Sequence, residues 1–502
     1  MLYNDDFLKP GQLFPPRSEL SRLKGYLDNK LLFEGNTNNV LKPYIDRTRE
    51  IIKSLTNDEP NQNYEFIIQP NYWQLSTIKT GDLMVGDPPT ISIEGNQDTD
   101  KTNRKLEKAD FQEKLTESVY DIDRCGESLF RFFKDSEGNK NFVVADPSTW
   151  FPVVESENIK NITQHIFAWI VCVKQDPNHE FKNKYKLYVQ RHYPGKDYYD
   201  FEIYNISGVV YKQHRDERTD EVFDGIRQFR IGQLDTSEKK VHGIKNGAVI
   251  HMPGVTTSDN LHGISNYERM TEIAAEIAVR TTLGDFILDQ NSAPRMAAPS
   301  SAFTTDSDGS WKLKSSGRNF VVEPGGMQPV YITWTGNLVD NENAIKRLKK
   351  ELIEMTEMGP VIDGEEMNSS QGFDALNVKM TNPKLKVRRL SSKIIKPLKQ
   401  LIAKLLCDES TSEEDIFDKL SITFNEGLPA NESQELERAT KKKSLGFSFR
   451  TIAKEYFSYT DEQVDKEIEN NLEENINPMM GEFGAARGAD FPQEDDGGVD
   501  AT

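Results

Sequence analysis

Cysteine is scarce. Three thiols in 502 residues, at positions 125, 172 and 407, form no CxxC pair and no Cys/His cluster. A disulfide framework and a thiolate zinc site are therefore excluded, and the chain reads as one made in a reducing compartment. Long apolar runs are missing too. The longest, residues 166–173 (IFAWIVCV), is less than half of the roughly 20 residues that a bilayer-spanning helix needs, and the opening MLYNDDFLKP lacks a signal peptide's basic and apolar regions. The expectation is a chain that neither crosses a membrane nor is secreted. Positive charge is in short supply: 62 Lys and Arg stand against 81 Asp and Glu, for a net charge of −19. Mean hydropathy is −0.65. A general nucleic-acid coat does not fit that balance, so any contact with DNA must be local.

Signature motifs of catalysis are absent as well. There is no GxxxxGK[ST], no GxGxxG after a strand, no HExxH, no GxSxG and no EF-hand loop. The seven histidines show no ligand spacing, so no metal and no cofactor is expected. Asp121 and Asp123 flank Ile122 as a pair of carboxylates, and their plain reading is solvation at a helix end. Asp306 and Asp308 beside Gly309 read as an Asx turn.

What is present is a long α+β chain, large enough for more than one unit. Residues 1–37 carry Pro10, Pro15 and Pro16 and read as an arm or strap. Residues 38–260 mix helices, expected at 39–55, 72–84 and 103–122, with strands at 64–68, 129–133, 142–145, 149–154, 166–173, 185–191, 198–206 and 248–252. A hairpin turn is expected at Glu137-Gly138-Asn139.

A helix over 261–290 then opens on a capping box, Ser265 to Glu268. Its apolar stripe is Met270, Ile273, Ala274, Ile277, Ala278 and Thr281. Short strand-like runs fill 291–338, and a second helix covers 339–358. A polar, glycine-bearing loop spans 359–374. A long helix over 375–406 follows, with kinks expected at Pro397 and Pro383. Residues 407–476 hold a strand and three helices, and 477–502 form an acidic tail.

Nine basic residues and no acidic one lie between Asp374 and Asp408. Lys379, Lys386, Arg388, Arg389, Lys393 and Lys396 make a basic face opposite the stripe Val387, Leu390, Ile394, Leu398, Leu401 and Leu405. Such a face is either solvated, or a positive surface for phosphates or for an acidic neighbouring subunit.

The order of these parts resembles a bacteriophage portal protein of the SPP1-like type, over roughly residues 38–476. Four local segments carry the likeness. Gly81-Asp82-Leu83-Met84-Val85-Gly86-Asp87-Pro88-Pro89 is similar to the family's early helix end. Gly126-Glu127-Ser128-Leu129-Phe130, with Asp146-Pro147 and Phe151-Pro152, resembles its wing hairpin. Gly263-Ile264-Ser265-Asn266 resembles the start of the first stem helix, and Phe424-Asn425-Glu426-Gly427-Leu428-Pro429 the entry to the crown.

The resemblance implies a portal fold: α/β wing, two-helix stem, small β clip at 291–338, tunnel loop at 359–374, long kinked helix and helical crown. It implies a homo-oligomeric ring, typically of twelve subunits, at one capsid vertex. Double-stranded DNA would pass through, and the ring would meet the major capsid protein and scaffold, the large terminase and a head-completion adaptor. It implies a virion protein assembled in the host cytoplasm, with no catalytic residues and no membrane partner. On this reading Lys346, Lys349 and Lys350 face the DNA channel, with Asp363, Glu365, Glu366, Asn368, Ser369, Ser370 and Gln371 of the loop. The two stem helices are expected to expose apolar stripes that copies of the chain cover. The rival readings are another virion ring component, such as an adaptor or baseplate protein, and a metal-dependent hydrolase or nuclease with scattered carboxylates.

Overall fold

The computed structural model describes residues 1–56, 70–94, 99–174, 184–208, 226–292, 295–297, 303–305, 311–313, 330–332, 338–359, 378–407, 411–424, 439–457 and 464–470. It divides into two units, Met1–Gly427 and Leu428–Thr502. Both kinds of regular structure occur in the first unit, and the fold is α+β.

The first unit opens with a short strand β1 (Leu13–Phe14), helix α1 (Leu20–Phe33) and helix α2 (Lys42–Thr56). Helix α3 (Tyr72–Val85) starts where the Asn71 side chain accepts the Gln74 N–H and stops at Gly86. Strand β2 (Thr90–Ile93) leads to α4 (Thr99–Lys108) and α5 (Phe111–Cys125). The sequence predicts one helix where α4 and α5 stand. The break is at Asp110, whose φ of 52° is left-handed, a conformation that a short polar side chain tolerates.

Strands β3 (Glu127–Lys134) and β4 (Lys140–Val144) form the expected hairpin, with Gly138 at φ 84° in its turn. There follow β5 (Trp150–Val154), β6 (Ile162–Lys174), β7 (Lys184–His192), β8 (Tyr198–Gly208), β9 (Phe229–Val241) and β10 (Val249–Pro253). A six-stranded antiparallel sheet has the order β1-β9-β8-β7-β6-β5, and a three-stranded sheet the order β10-β3-β4. Strand β9 escapes the sequence reading because only Phe229 and Ile231 of its thirteen residues are buried, leaving no alternation to detect.

The N-terminal segment is partly a strap and partly regular structure. Leu2 bridges Val153 at one edge of the large sheet and β1 pairs with β9 at the other, so residues 2–14 cross one face of it. Phe7, Leu8 and Phe14 bury there against Phe151, Ile166, Leu187, Val189 and Ile231. The prolines confine irregular backbone to the first 16 residues, and α1 follows, which corrects the expectation for 17–37.

Helix α6 (Tyr267–Ser292) and helix α7 (Val339–Thr356) run antiparallel. Asn341 donates to the Arg280 carbonyl at 3.1 Å at one end, and Arg269 lies 4.0 Å from Glu357 at the other. Between them the described residues form two small antiparallel pairs, β11 (Arg295–Ala297) with β14 (Val330–Ile332) and β12 (Phe303–Thr305) with β13 (Trp311–Leu313). The apolar stripe of α6 is not left bare. Met270, Ala274 and Ile277 pack with Leu41 and Ile45, Trp73 of α3 and Leu352 of α7, so the chain covers its own stripe. The expected reliance on copies of the chain for that cover is corrected.

Helix α8 (Thr381–Leu406) runs uninterrupted through Pro397, and Pro383 sits in its first turn, where no N–H is needed. Helix α9 (Glu413–Lys419) leads to β15 (Leu420–Thr423), which pairs with β2. The start of the expected crown thus belongs to the first unit. In the second unit, residues 439–444 and 464–470 and Phe449–Phe457 are helical, with Ala439, Ile452, Ala453 and Val464 buried and Arg450 paired to Asp465. The strand expected at 64–68, the Asp306/Asp308 turn, residues 314–329 of the expected strand-like stretch, residues 360–374 of the expected loop, the segment 425–429 and the tail 477–502 lie outside the described residues.

Candidate functional site

The helix pair α6/α7 is rooted in the body by backbone contact. Gly126, at φ 86°, caps α5, and its carbonyl accepts the Gly254 N–H at 2.8 Å. A Cβ on Gly263 would stand 1.7 Å from the Gly126 oxygen, so only glycine lets the two segments touch. The next residues use the free carbonyls at the end of α5. Asn266 N–H donates to Asp123 O at 3.0 Å, and Ser265 Oγ donates to Arg124 O at 2.6 Å while accepting the Tyr267 N–H. Asn29 of α1 also donates to Arg124 O, at 2.8 Å. Two segments that carry the family likeness, 126–130 and 263–266, therefore meet here.

Two buried polar clusters flank this joint. In the first, Asp123 accepts from Thr77 Oγ1 at 2.8 Å and lies 3.5 Å from Lys386 Nζ, which also donates to Thr80 Oγ1 at 3.1 Å. Tyr267, Thr77 and the Trp73 carbonyl close the group. In the second, Glu127 has no solvent exposure and accepts from Tyr26 OH at 2.6 Å, His251 Nε2 at 2.8 Å and His262 Nδ1 at 2.9 Å. An ionised carboxylate only accepts, so both imidazoles present N–H to it.

Burial alone would raise the Glu127 pKa, but His262 and His251 together outweigh it and hold the carboxyl far below the usual range. Trp150 packs on His165, His251 and His262, with ring centroids 4.6 to 5.9 Å apart. Arg22 ties Glu19 to the Pro147 and Trp150 carbonyls. With three donors on it and no exposure, Glu127 turns neither oxygen toward a substrate, and the cluster serves as a strut.

The expected site residues fall into three groups. Lys346, Lys349 and Lys350 are exposed on α7, next to the Arg347–Glu351 pair at 3.8 Å. Asp363, Glu365, Glu366, Asn368, Ser369, Ser370 and Gln371 lie outside the described residues. Of the basic face, Lys379, Arg388, Arg389, Lys393 and Lys396 are exposed, and Arg389 pairs with Glu357 at 2.6 Å.

Lys386 is a correction. It is 5% exposed and neutralises Asp123 inside the protein, because a long aliphatic stem can bury while its ammonium finds a carboxylate. Lys404 is likewise buried, on the Lys245 and Asn246 carbonyls and Glu413. Nor are Asp121 and Asp123 a solvated pair. Asp123 is buried, and burial lifts the Asp121 pKa to about 6 although Arg124 stands 2.7 Å away.

The Glu127 cluster is invisible in the sequence. Its members span positions 26 to 262, and of them only Glu127 lies in a segment that carries the family likeness. Among the described residues no three His, Cys, Asp or Glu side chains are placed to hold a metal ion. No helix among them is long and apolar enough to cross a membrane.

No family model matches the chain, and no curated protein does. Among solved structures it is similar to the neck of an empty GTA particle computed with C6 symmetry, at 11% identity and a TM-score of 0.42, over 76% of this chain and 88% of that one. It is also similar to the neck of a native GTA particle computed with C12 symmetry, at 10% identity and a TM-score of 0.42, over 81% and 97% of the two chains.

Proposed function

We propose that the chain is the subunit of a portal ring, the head-tail connector through which a tailed phage packages, retains and ejects double-stranded DNA. The observation that carries the reading is the helix pair α6/α7. It leaves an α+β body at a glycine joint, encloses a small β element between its two helices and returns to that body. That order of parts is what a wing, stem and clip require. Helix α7 also turns Lys346, Lys349 and Lys350 to solvent on a chain of net charge −19. A few exposed cations on an acidic wall give weak, salt-sensitive contacts, which suit a polymer that must slide rather than bind.

The buried Glu127 cluster supports a mechanical role, since it braces the root of the helix pair and offers no open position. On this reading the ring sits at a capsid vertex, docks the terminase motor during packaging and head-completion adaptors afterwards, and performs no catalysis of its own.

Electron microscopy of the purified full-length chain tests the proposal. Rings with a central hole wide enough for duplex DNA are expected. A monodisperse monomer at every concentration and salt tried would overturn it.

A further inference from the structure

The basic face of α8 has an acidic counterpart elsewhere on the same chain. Helices α1 and α5 diverge around an open groove of about 580 Å³, with Leu23, Leu27, Phe33 and Tyr120 among its apolar lining. Acidic groups edge it. Asp121 is taken up by Arg124, and Lys30 by Glu34 at 4.0 Å, but Glu117 and Asp146 are exposed and have no cationic partner among the described residues. Glu113, one turn before Glu117, is exposed too and extends the negative line.

On α8, Leu385 is 52% exposed, an apolar side chain among cations. At 100° per residue it lies about 20° from Lys396 and about 80° from Lys393, so the three share one face. Lys393 and Lys396 have no carboxylate partner among the described residues. The groove and the helix therefore match in two ways, apolar lining to apolar knob and unpaired carboxylates to unpaired ammonium groups.

A chain cannot make this match with itself. Its own α8 is fixed to α5 through Lys386 and Asp123, and Asp123 points about 120° around α5 from Glu117.

We propose that α8 of one copy seats in the α1/α5 groove of the next, Lys393 and Lys396 meeting Glu117 and Asp146 while Leu385 covers the apolar lining. The two patches differ, so the contact is head-to-tail and repeats from copy to copy, closing into a ring where the rotation allows. This deepens the portal reading and rests on it, by naming the surfaces between which subunits join.

The test uses the full-length chain, sedimentation for assembly and circular dichroism for folding. Lys393→Glu with Lys396→Glu should weaken assembly at least tenfold, and so should Glu117→Lys with Asp146→Lys. All four together should recover it. The pair Glu117→Cys and Lys396→Cys should yield oxidised ladders of dimers and higher species that neither single substitution gives. Assemblies untouched by either reversal, a quadruple variant that does not recover, or a double-cysteine variant that forms no ladder would overturn this contact and leave the ring reading standing. A wild-type chain that never assembles would overturn both.

Discussion

Lys386 Nζ and the Asp123 carboxylate lie 3.5 Å apart with both side chains out of water. The pair joins α8 to the end of α5 just where α6 begins, so a single contact ties together the body, the root of the helix pair and the long helix. Removing one member strands the other charge, which costs about 3–5 kcal/mol, whereas removing both leaves no orphan. Lys386→Met is therefore expected to lower the thermal midpoint sharply. The double variant Lys386→Met/Asp123→Asn should lie closer to wild type, and a double-mutant cycle in a calorimeter checks this.

The glycine joint predicts a contrast between two alanines. Gly263→Ala drives a methyl into the Gly126 carbonyl and should leave little soluble protein. Gly25→Ala, inside α1 with nothing within 4 Å of the new methyl, should instead add about 0.5–1 kcal/mol by restricting the unfolded chain and favouring helix. Expression yield and denaturation midpoints read both.

Stability should fall as the solution is acidified below neutrality. Burial depresses the His165 pKa to about 3 and the His192 pKa to about 2. Between pH 6.5 and those values the unfolded chain binds protons that the folded one refuses, and each imidazole removes up to about 1.4 kcal/mol per pH unit. Glu127, held low in the folded state, adds to the loss below the ordinary glutamate range, about pH 4.3. Asp121, raised to about 6, works the other way between pH 6 and 4, because the folded form takes its proton first. Midpoints measured from pH 7 to 4.5 should decline, and more gently in His165→Phe, which keeps the stack on Trp150.

If α7 faces DNA, its lysines set the salt dependence. The triple variant Lys346→Gln/Lys349→Gln/Lys350→Gln should bind duplex DNA more weakly, with the slope of log K against log salt reduced by about 0.9 for each phosphate that is no longer neutralised. An unchanged slope in a filter-binding titration would show that these residues do not meet DNA.

Regular elements were legible where one periodicity ruled. Strands β6, β7 and β8 alternate or run apolar, and α6 and α8 carry stripes of 3.6-residue period, so they emerge with ends displaced by at most about six residues. Strand β9 did not, because the run 235–240 reads as polar turn or helix surface and only Phe229 and Ile231 are buried. The strand β2 was missed because its partner β15 lies more than three hundred positions away, beyond any local pattern. Site chemistry was less legible still. Charge alone put Lys386 on the outer face, and nothing near it in sequence reveals Asp123. Likewise His251 and His262 look like isolated surface histidines until Glu127 is placed between them.

The strap formed by residues 2–14 sets an order of events during synthesis. Leu13 pairs with Arg230, so this segment cannot complete its pairing until more than two hundred further residues have been made. The cover over Phe7, Leu8 and Phe14 is complete only once Ile231 is in place, and closing so distant a pairing is slow. The six-stranded sheet is thus completed late, and the strap stays open to chaperones, or to wrong partners, until β9 arrives to receive it.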